Sequence, residues 1–246
     1  MNAAIDRRAF LAGSLALAAG GCAGVGTETV PVAVDRLGTF EHLPGAAGFV
    51  IAAPHGTADG GSLAVAKAIR SRTGAAGVFV TGFWDSSTRV RINVNRATEQ
   101  TMGANSQVLE QRPSAVAAQV NARYTALVRE AARGPVRWFF EIHSNSYPNY
   151  QGSVEVSTLG ISQFDARAFK ERFYSARRHH VPSQAPQLDI RVAPADPVWF
   201  SYRGSSSIAE HSERGFLIES PSRILRDAAW GPRYAAALAD VIAATV

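Results

Sequence analysis

Apolar and polar positions follow two rhythms along the chain. Residues 48–53, 136–142 and 215–219 are near-continuous apolar runs, broken only by Arg137, Glu141 and Glu219. Runs of that length read as strands covered on both faces, where no polar alternation is needed. Residues 77–81 form a further short strand. Residues 89–94 set Val90, Ile92 and Val94 against Arg89, Arg91 and Asn93, the period of a half-buried strand, and 153–157 alternates again. Helical spacing runs through 62–72 up to Gly74, and through 113–133, where Pro113 opens an Ala-rich stretch stopped by Gly134-Pro135. It returns at 165–178, with Asp165 as an acidic cap, and at 228–246. Pro182, Pro186, Pro194 and Pro197 make 181–198 a long surface loop in this reading. Strands alternating with helices predict an α/β fold: a single-domain three-layer α/β/α sandwich on a mixed, largely parallel sheet. No internal repeat or interdomain linker is visible.

The three apolar runs share a second property. The first leads into Pro54-His55-Gly56-Thr57-Ala58-Asp59, the second into His143-Ser144, and the third ends on Glu219. In open α/β sheets ligands collect at the carboxyl ends of strands, so two histidines and two carboxylates are expected in one crevice. A catalytic zinc site takes about three protein ligands from His, Asp and Glu and leaves a position for water. His55, Asp59 and His143 are the candidate ligands. Glu141 lies two residues from His143, on the same strand face. It either orients that imidazole through its other nitrogen or replaces Asp59 as the carboxylate ligand. Glu219 is the candidate general base, the plainer alternative being a salt bridge to Arg223 or Arg226.

Composition narrows the partners. The 246 residues carry a net charge of +5, with Arg well ahead of Lys. No aromatic residues interleave with a basic stripe, so nucleic acid is not an expected partner and a small anionic substrate is. The N-terminus sets an address. Asp6-Arg7-Arg8-Ala9-Phe10-Leu11 resembles a twin-arginine export signal, and residues 1–22 are read as that signal. Cys22 is the only cysteine, which excludes an internal disulfide and makes it a candidate lipid-attachment site. Residues 23–45 are expected to form a tether and lead-in segment before a catalytic domain over 46–246. The protein is accordingly expected outside the cytoplasm of a bacterium, periplasmic or anchored to the membrane only through lipid on Cys22.

The series Pro54-His55-Gly56, Asn95-Arg96, Ile142-His143-Ser144 and Ile218-Glu219 resembles, in its order, the zinc metallocarboxypeptidase superfamily, in particular its N-formylglutamate amidohydrolase-like branch. The resemblance implies a zinc-exopeptidase-like sandwich. It also implies a metal His and carboxylate first, an Asn95-Arg96 pair for a substrate carboxylate, a second metal His and a late catalytic Glu219. One departure stands out: the peptidases use His-x-x-Glu where this chain has His55-x-x-x-Asp59. Their catalytic Tyr is matched by Tyr202, with Tyr147 and Tyr150 as alternatives. Arg96 has its own physical case, since a guanidinium fork binds a carboxylate in two parallel hydrogen bonds. Arg91 or Arg89, on one strand face, is placed to polarise the scissile carbonyl. The expected activity is hydrolysis of an amide bond next to a carboxylate-bearing residue, in a small amide or peptide. Two rivals remain at this level: a serine hydrolase built on Gly60-Gly61-Ser62-Leu63-Ala64, and a peptide-binding envelope protein without turnover.

Overall fold

The computed structural model describes residues 37–85, 87–103, 108–200 and 211–246; the export motif, Cys22 and Tyr202 lie outside them. In chain order the elements are β1 (Gly38–Leu43), β2 (Ala46–Ala53), α1 (Ser62–Thr73), β3 (Ala75–Gly82), β4 (Trp84–Asp85), β5 (Val90–Asn93), β6 (Thr98–Met102) and β7 (Val108–Pro113). There follow α2 (Ala115–Ala132), β8 (Val136–Asn145), β9 (Ser153–Leu159), α3 (Gln163–His180), β10 (Asp189–Val192), β11 (Ser212–Pro221), α4 (Ser222–Leu225) and α5 (Gly231–Ala243).

Seven strands form the main sheet in the order β1-β3-β2-β8-β11-β9-β10. The central four, β3, β2, β8 and β11, are mutually parallel, and β1, β9 and β10 run the other way. Strand alternation divides the core. Phe49 and Ile51 of β2, Phe140 and Ile142 of β8 and Phe216 and Ile218 of β11 face Val65 and Ile69 of α1, Phe169 and Phe173 of α3 and Leu238 of α5. The rings of Phe140 and Phe216 stack at 4.6 Å. Val50, Ala52, Phe139 and Leu217 point to the opposite face, against Val120, Tyr124 and Val128 of α2. The mixed, three-layer α/β/α sandwich is therefore present, with three helices on one face and α2 on the other.

The α2 face carries more than a helix. A second, antiparallel sheet, β4-β5-β6-β7, lies there, and Phe83, Ile92 and Val94 pack into the same core as α2. Only β5 was readable from alternation. The strand β7 is exposed throughout, so no apolar alternation marks it, although Gln100 Nε2 donates to Gln111 Oε1 and Arg112 lies 3.6 Å from Glu99 across the pair.

Three local expectations are corrected. The 181–198 stretch is not all surface loop: it holds β10, parallel to β9 at the sheet edge, and Leu188, Ile190 and Val192 are buried. An edge position is where a strand between prolines can pair. Pro113 closes β7, and α2 is capped by Ser114, whose Oγ accepts from the Ala117 N–H. Likewise Ser162, not Asp165, caps α3, and its Oγ both accepts from Asp165 N–H and donates to the Asp165 carboxylate.

Candidate metal centre

The same alternation that builds the core delivers polar side chains to the α2 face. Counting from Phe139, positions Glu141 and His143 fall on that face of β8, and counting from Leu217, so does Glu219 of β11. His55 arrives differently, in the loop that leaves β2 after Pro54. Gly56 N–H donates to the Val80 carbonyl at 2.9 Å, and a Cβ on residue 56 would sit 2.7 Å from that oxygen. Asp59 N–H then bonds back to the His55 carbonyl at 2.8 Å, a single helical turn. Residues four apart on such a turn share a side. The extra residue in His55-x-x-x-Asp59 is absorbed in this way, and the shorter acid still lies beside the imidazole. Ser62 Oγ holds the Asp59 carbonyl at 2.8 Å, and Ser144 Oγ ties the Gly60 carbonyl to β8 at 2.9 Å.

His55, Asp59 and His143 present ligand atoms that all lie within 4.8 Å of one another. Asp59 Oδ2 is 2.9 Å from His143 Nδ1 and 3.5 Å from His55 Nδ1. Donors around a tetrahedral zinc with bonds of about 2 Å are roughly 3.3 Å apart, so the set fits such an ion. Of the far ring nitrogens, that of His55 is hydrogen-bonded and that of His143 faces a carboxylate just beyond hydrogen-bond reach. His55 Nε2 is 3.0 Å from Asn93 Oδ1, and His143 Nε2 is 3.6 Å from Glu141 Oε2. Glu141 is completely buried and accepts from Tyr124 Oη at 2.9 Å and Asn95 Nδ2 at 3.1 Å. Asp59 thus lies between the two imidazoles, and Glu141 backs His143. This is the arrangement in which an outer carboxylate orients a ligating ring.

Burial sets the electrostatics. It lowers the His55 pKa despite the nearby Asp59 charge. For His143 burial works in the same direction, but the hydrogen bond to Asp59 and the nearby Glu141 and Glu219 carboxylates outweigh it and raise the pKa to about 10. Burial alone would raise Asp59; the charge of His55 and hydrogen bonds from His143 and His55 reverse this and hold it well below the usual carboxylate range. Glu219 goes the other way. Burial lifts it to about 7, against the pull of His143. It pairs with His143 across the β8–β11 ladder, and its Oε2 is buried with no hydrogen-bond partner among the described residues. The salt-bridge alternative fails, because Arg223 instead donates to the Gln151 carbonyl, and neither Arg223 nor Arg226 forms an ion pair with Glu219 among the described residues.

These groups line a cleft of about 720 Å³ between the strand ends and the second sheet. Arg91 reaches into it. Its Nε and Nη2 are held by Gln100 Oε1 at 2.9 and 2.6 Å, and its Nη1 lies 3.9 Å from Asp59 Oδ1. Arg89 does not share that role, because its guanidinium bonds the Met102 and Gly103 carbonyls and pins a turn. Arg96 lines the cleft and makes no side-chain hydrogen bond among the described residues. Asn95 is only 2% exposed; it lines the cleft and donates Nδ2 to Glu141, and its Oδ1 has no hydrogen-bond partner among the described residues. Tyr147 lines the cleft, Tyr150 stands behind it, and Tyr202 lies outside the described residues. Asn93, Gln100 and Asn145, a hydrogen-bonding neighbour of Glu219, were not singled out from sequence. Isolated amides in polar strands carry no signal of their own. The serine-hydrolase rival loses its nucleophile: Ser62 is fully buried and its hydroxyl is committed to the Asp59 carbonyl.

No protein-family model matches the chain, and no curated protein does. Among solved structures, its course is similar to that of a bacteriophage poly-gamma-glutamate hydrolase, with 10% identity, 85% of this chain and 88% of that one covered, and a TM-score of 0.48. It is also similar to a metallo-carboxypeptidase from Burkholderia cenocepacia, with 14% identity, 87% and 65% covered, and a TM-score of 0.46. At these identities the likeness is one of chain course, and function has to be read from the side chains.

Proposed function

We propose that this chain is a zinc-dependent amide hydrolase, related in its chemistry to N-formylglutamate amidohydrolases and carboxypeptidases, that cuts a bond next to a carboxylate-bearing residue. One observation carries the reading: two imidazoles and a carboxylate converge within 4.8 Å, with Glu219 next to them in the β8–β11 row and its Oε2 without a hydrogen-bond partner among the described residues. His55, Asp59 and His143 would hold the ion, and their nitrogen and oxygen donors suit zinc. Zinc, when bound, supplies a Lewis acid and lowers the pKa of water. The remaining work falls to the protein. Glu219 Oε2 takes a proton from the attacking water and returns it to the leaving nitrogen. Arg91, braced by Gln100, faces the oxygen that gains negative charge. The free guanidinium of Arg96 binds the substrate carboxylate. Glu141 and Asn93 hold the two imidazoles in register. Asn95 braces Glu141 from within the cleft lining, and the substrate-binding places of Asn95 and Tyr202 stay with this proposal. We further propose export, by the Arg7-Arg8 signal, with lipid on Cys22.

Metal content and turnover test this together. Zinc-loaded protein should hold about one ion per chain, and His55→Ala or His143→Ala should lose most of it. Glu219→Gln should keep the ion and lose roughly two to four orders of magnitude in kcat on N-acyl amino acids. Arg96→Ala should keep both ion and kcat while raising KM for substrates with a free carboxylate more than for amidated ones. Near-normal turnover in Glu219→Gln would falsify the assigned chemistry even with zinc in place. A protein that binds these ligands, holds no metal and turns nothing over would be the binding module instead.

A further inference from the structure

Four aromatic rings stand together at one rim of the cleft. Tyr147 and Tyr150 belong to the turn after β8, and Trp199 and Phe200 to the segment after β10. Ring centroids are 5.9 Å apart for Tyr147–Phe200, 5.4 Å for Tyr150–Phe200 and 5.5 Å for Tyr150–Trp199. Tyr147 and Phe200 line the cleft itself. The cluster is not folded away: Tyr147 is 49% exposed and Trp199 66%. Contiguous exposed aromatic surface beside a reaction cleft marks a place where something binds.

What holds this wall is a buried carboxylate that the proposed chemistry does not use. Glu155 of β9 is 1% exposed, and its Oε2 accepts the backbone N–H groups of Trp199 at 2.7 Å and Phe200 at 3.1 Å. Arg191 Nη1 stands 3.8 Å from Oε1. A charge buried this deeply is retained only where it is hydrogen-bonded, and hydrogen bonds to a carboxylate are the strong ones. Glu155 is also in line with the site. Glu155 pairs with Glu219, and Glu219 with His143, so the three occupy one row across β9, β11 and β8. Arg96, just after β5 of the second sheet, lines the same cleft as Tyr147 and Phe200, which come from the segments after β8 and β10. With the substrate carboxylate on Arg96 and its amide over the donors, the acyl half is left to the aromatic wall that Tyr147 and Phe200 bring into the cleft.

We propose, resting on the amide-hydrolase reading, that this wall is the subsite for the acyl half of the substrate and selects an acyl group carrying a flat aromatic ring, with Glu155 as the positioning residue that holds it. Rings meet rings edge-on or offset at the spacings already present in the cluster, so a fifth ring extends it without rearrangement. The test uses the full zinc-loaded protein and matched N-acetyl and N-phenylacetyl derivatives of glycine, alanine, glutamate and phenylalanine. The wild type should favour the phenylacetyl member of a pair by roughly 10–100-fold in kcat/KM, chiefly through KM. Glu155→Ala should collapse that preference through KM, and Glu155→Gln, which keeps an oxygen for both N–H groups, should restore most of it. Phe200→Ala should also lower the preference, with Glu155 intact, and serves if Glu155→Ala does not fold. Equal treatment of both acyl groups by the wild type, in turnover and in calorimetric binding, overturns the proposal. So does a Glu155→Ala protein that loses kcat alike on both. If neither amide is cut but phenylacetyl compounds bind more tightly than acetyl ones, the hydrolase reading fails and the wall stands.

Discussion

Asp59 and Glu219 are both carboxylates in one crevice, and their surroundings drive them apart. Asp59, between two imidazoles, is held ionised well into acid, whereas Glu219, buried with one oxygen unpartnered, is lifted to about 7. Such a split is what the proposed roles of Asp59 as ligand and Glu219 as base require. The opposed shifts also govern the metal-free protein. His143, raised from 6.5 to about 10, keeps a proton in the folded chain that the unfolded chain releases. Between those values the folded state binds more protons, so its stability falls as pH rises. The His143 contribution is complete below 6.5 and gone above about 10; Glu219 adds a similar fall between 4.5 and about 7. After chelation, the melting temperature should therefore drop from pH 6.5 to 9, and His143→Gln should flatten the drop. An identical slope in the variant, by scanning calorimetry, would exclude His143 as its source. Zinc affinity should move oppositely and rise over that range, because the ion displaces the same proton. At this scale much was legible: His55, His143 and Glu219 stand out because each ends an apolar run that has no packing use for it. The partners of Asn95 and Arg89 were not, since a side chain in a polar stretch can turn either to a substrate or to its own backbone.

Elements were legible in proportion to how much apolar surface they bury. The central strands, α1, α2 and α3 lie where the periodicity puts them, and β4, β6, β7 and β10 were missed. β4 is two residues long, β7 is exposed and joined to β6 through polar side chains and backbone, and β10 is a four-residue edge hidden between prolines, though its Ile190 and Val192 are core. The second sheet matters most, because it brings Asn93, Arg91 and Gln100 over the loop after β2. That loop is itself an element with a defined shape. Its helical turn from His55 to Asp59 depends on Gly56 lying against β3, where a side chain has no room. Gly56→Ala should therefore strain the loop as overpacking does, by about 1–3 kcal/mol in urea unfolding. It should also weaken zinc binding, since His55 and Asp59 both lie on the displaced turn. Stability and zinc affinity equal to wild type would show that the turn is set by its own hydrogen bonds and not by contact with β3.

At the scale of the whole molecule, the proposed export signal and the proposed site make separable demands on the sequence. Every element described begins at Gly38 or later, and every group around the metal site lies between His55 and Glu219. The Arg7-Arg8 pair precedes all of them. A receptor-read signal acts through its own side chains and not through the packed core. Arg7→Lys with Arg8→Lys keeps the charge and alters only the guanidinium geometry that such a receptor would read. The double variant should melt at the wild-type temperature and take up zinc as the wild type does, yet stay inside the cell. Fractionation of the producing bacterium checks the second half, calorimetry and elemental analysis the first. Unchanged delivery across the membrane would remove the twin-arginine reading and leave the hydrolase reading untouched; a lowered melting temperature would show instead that the leader contributes to the fold. The mass of the delivered chain then reports on Cys22. A chain beginning at residue 22 with added acyl mass places the site on a membrane surface, where an anchored enzyme meets its substrates as they pass. A chain beginning later, without lipid, leaves it free in the compartment.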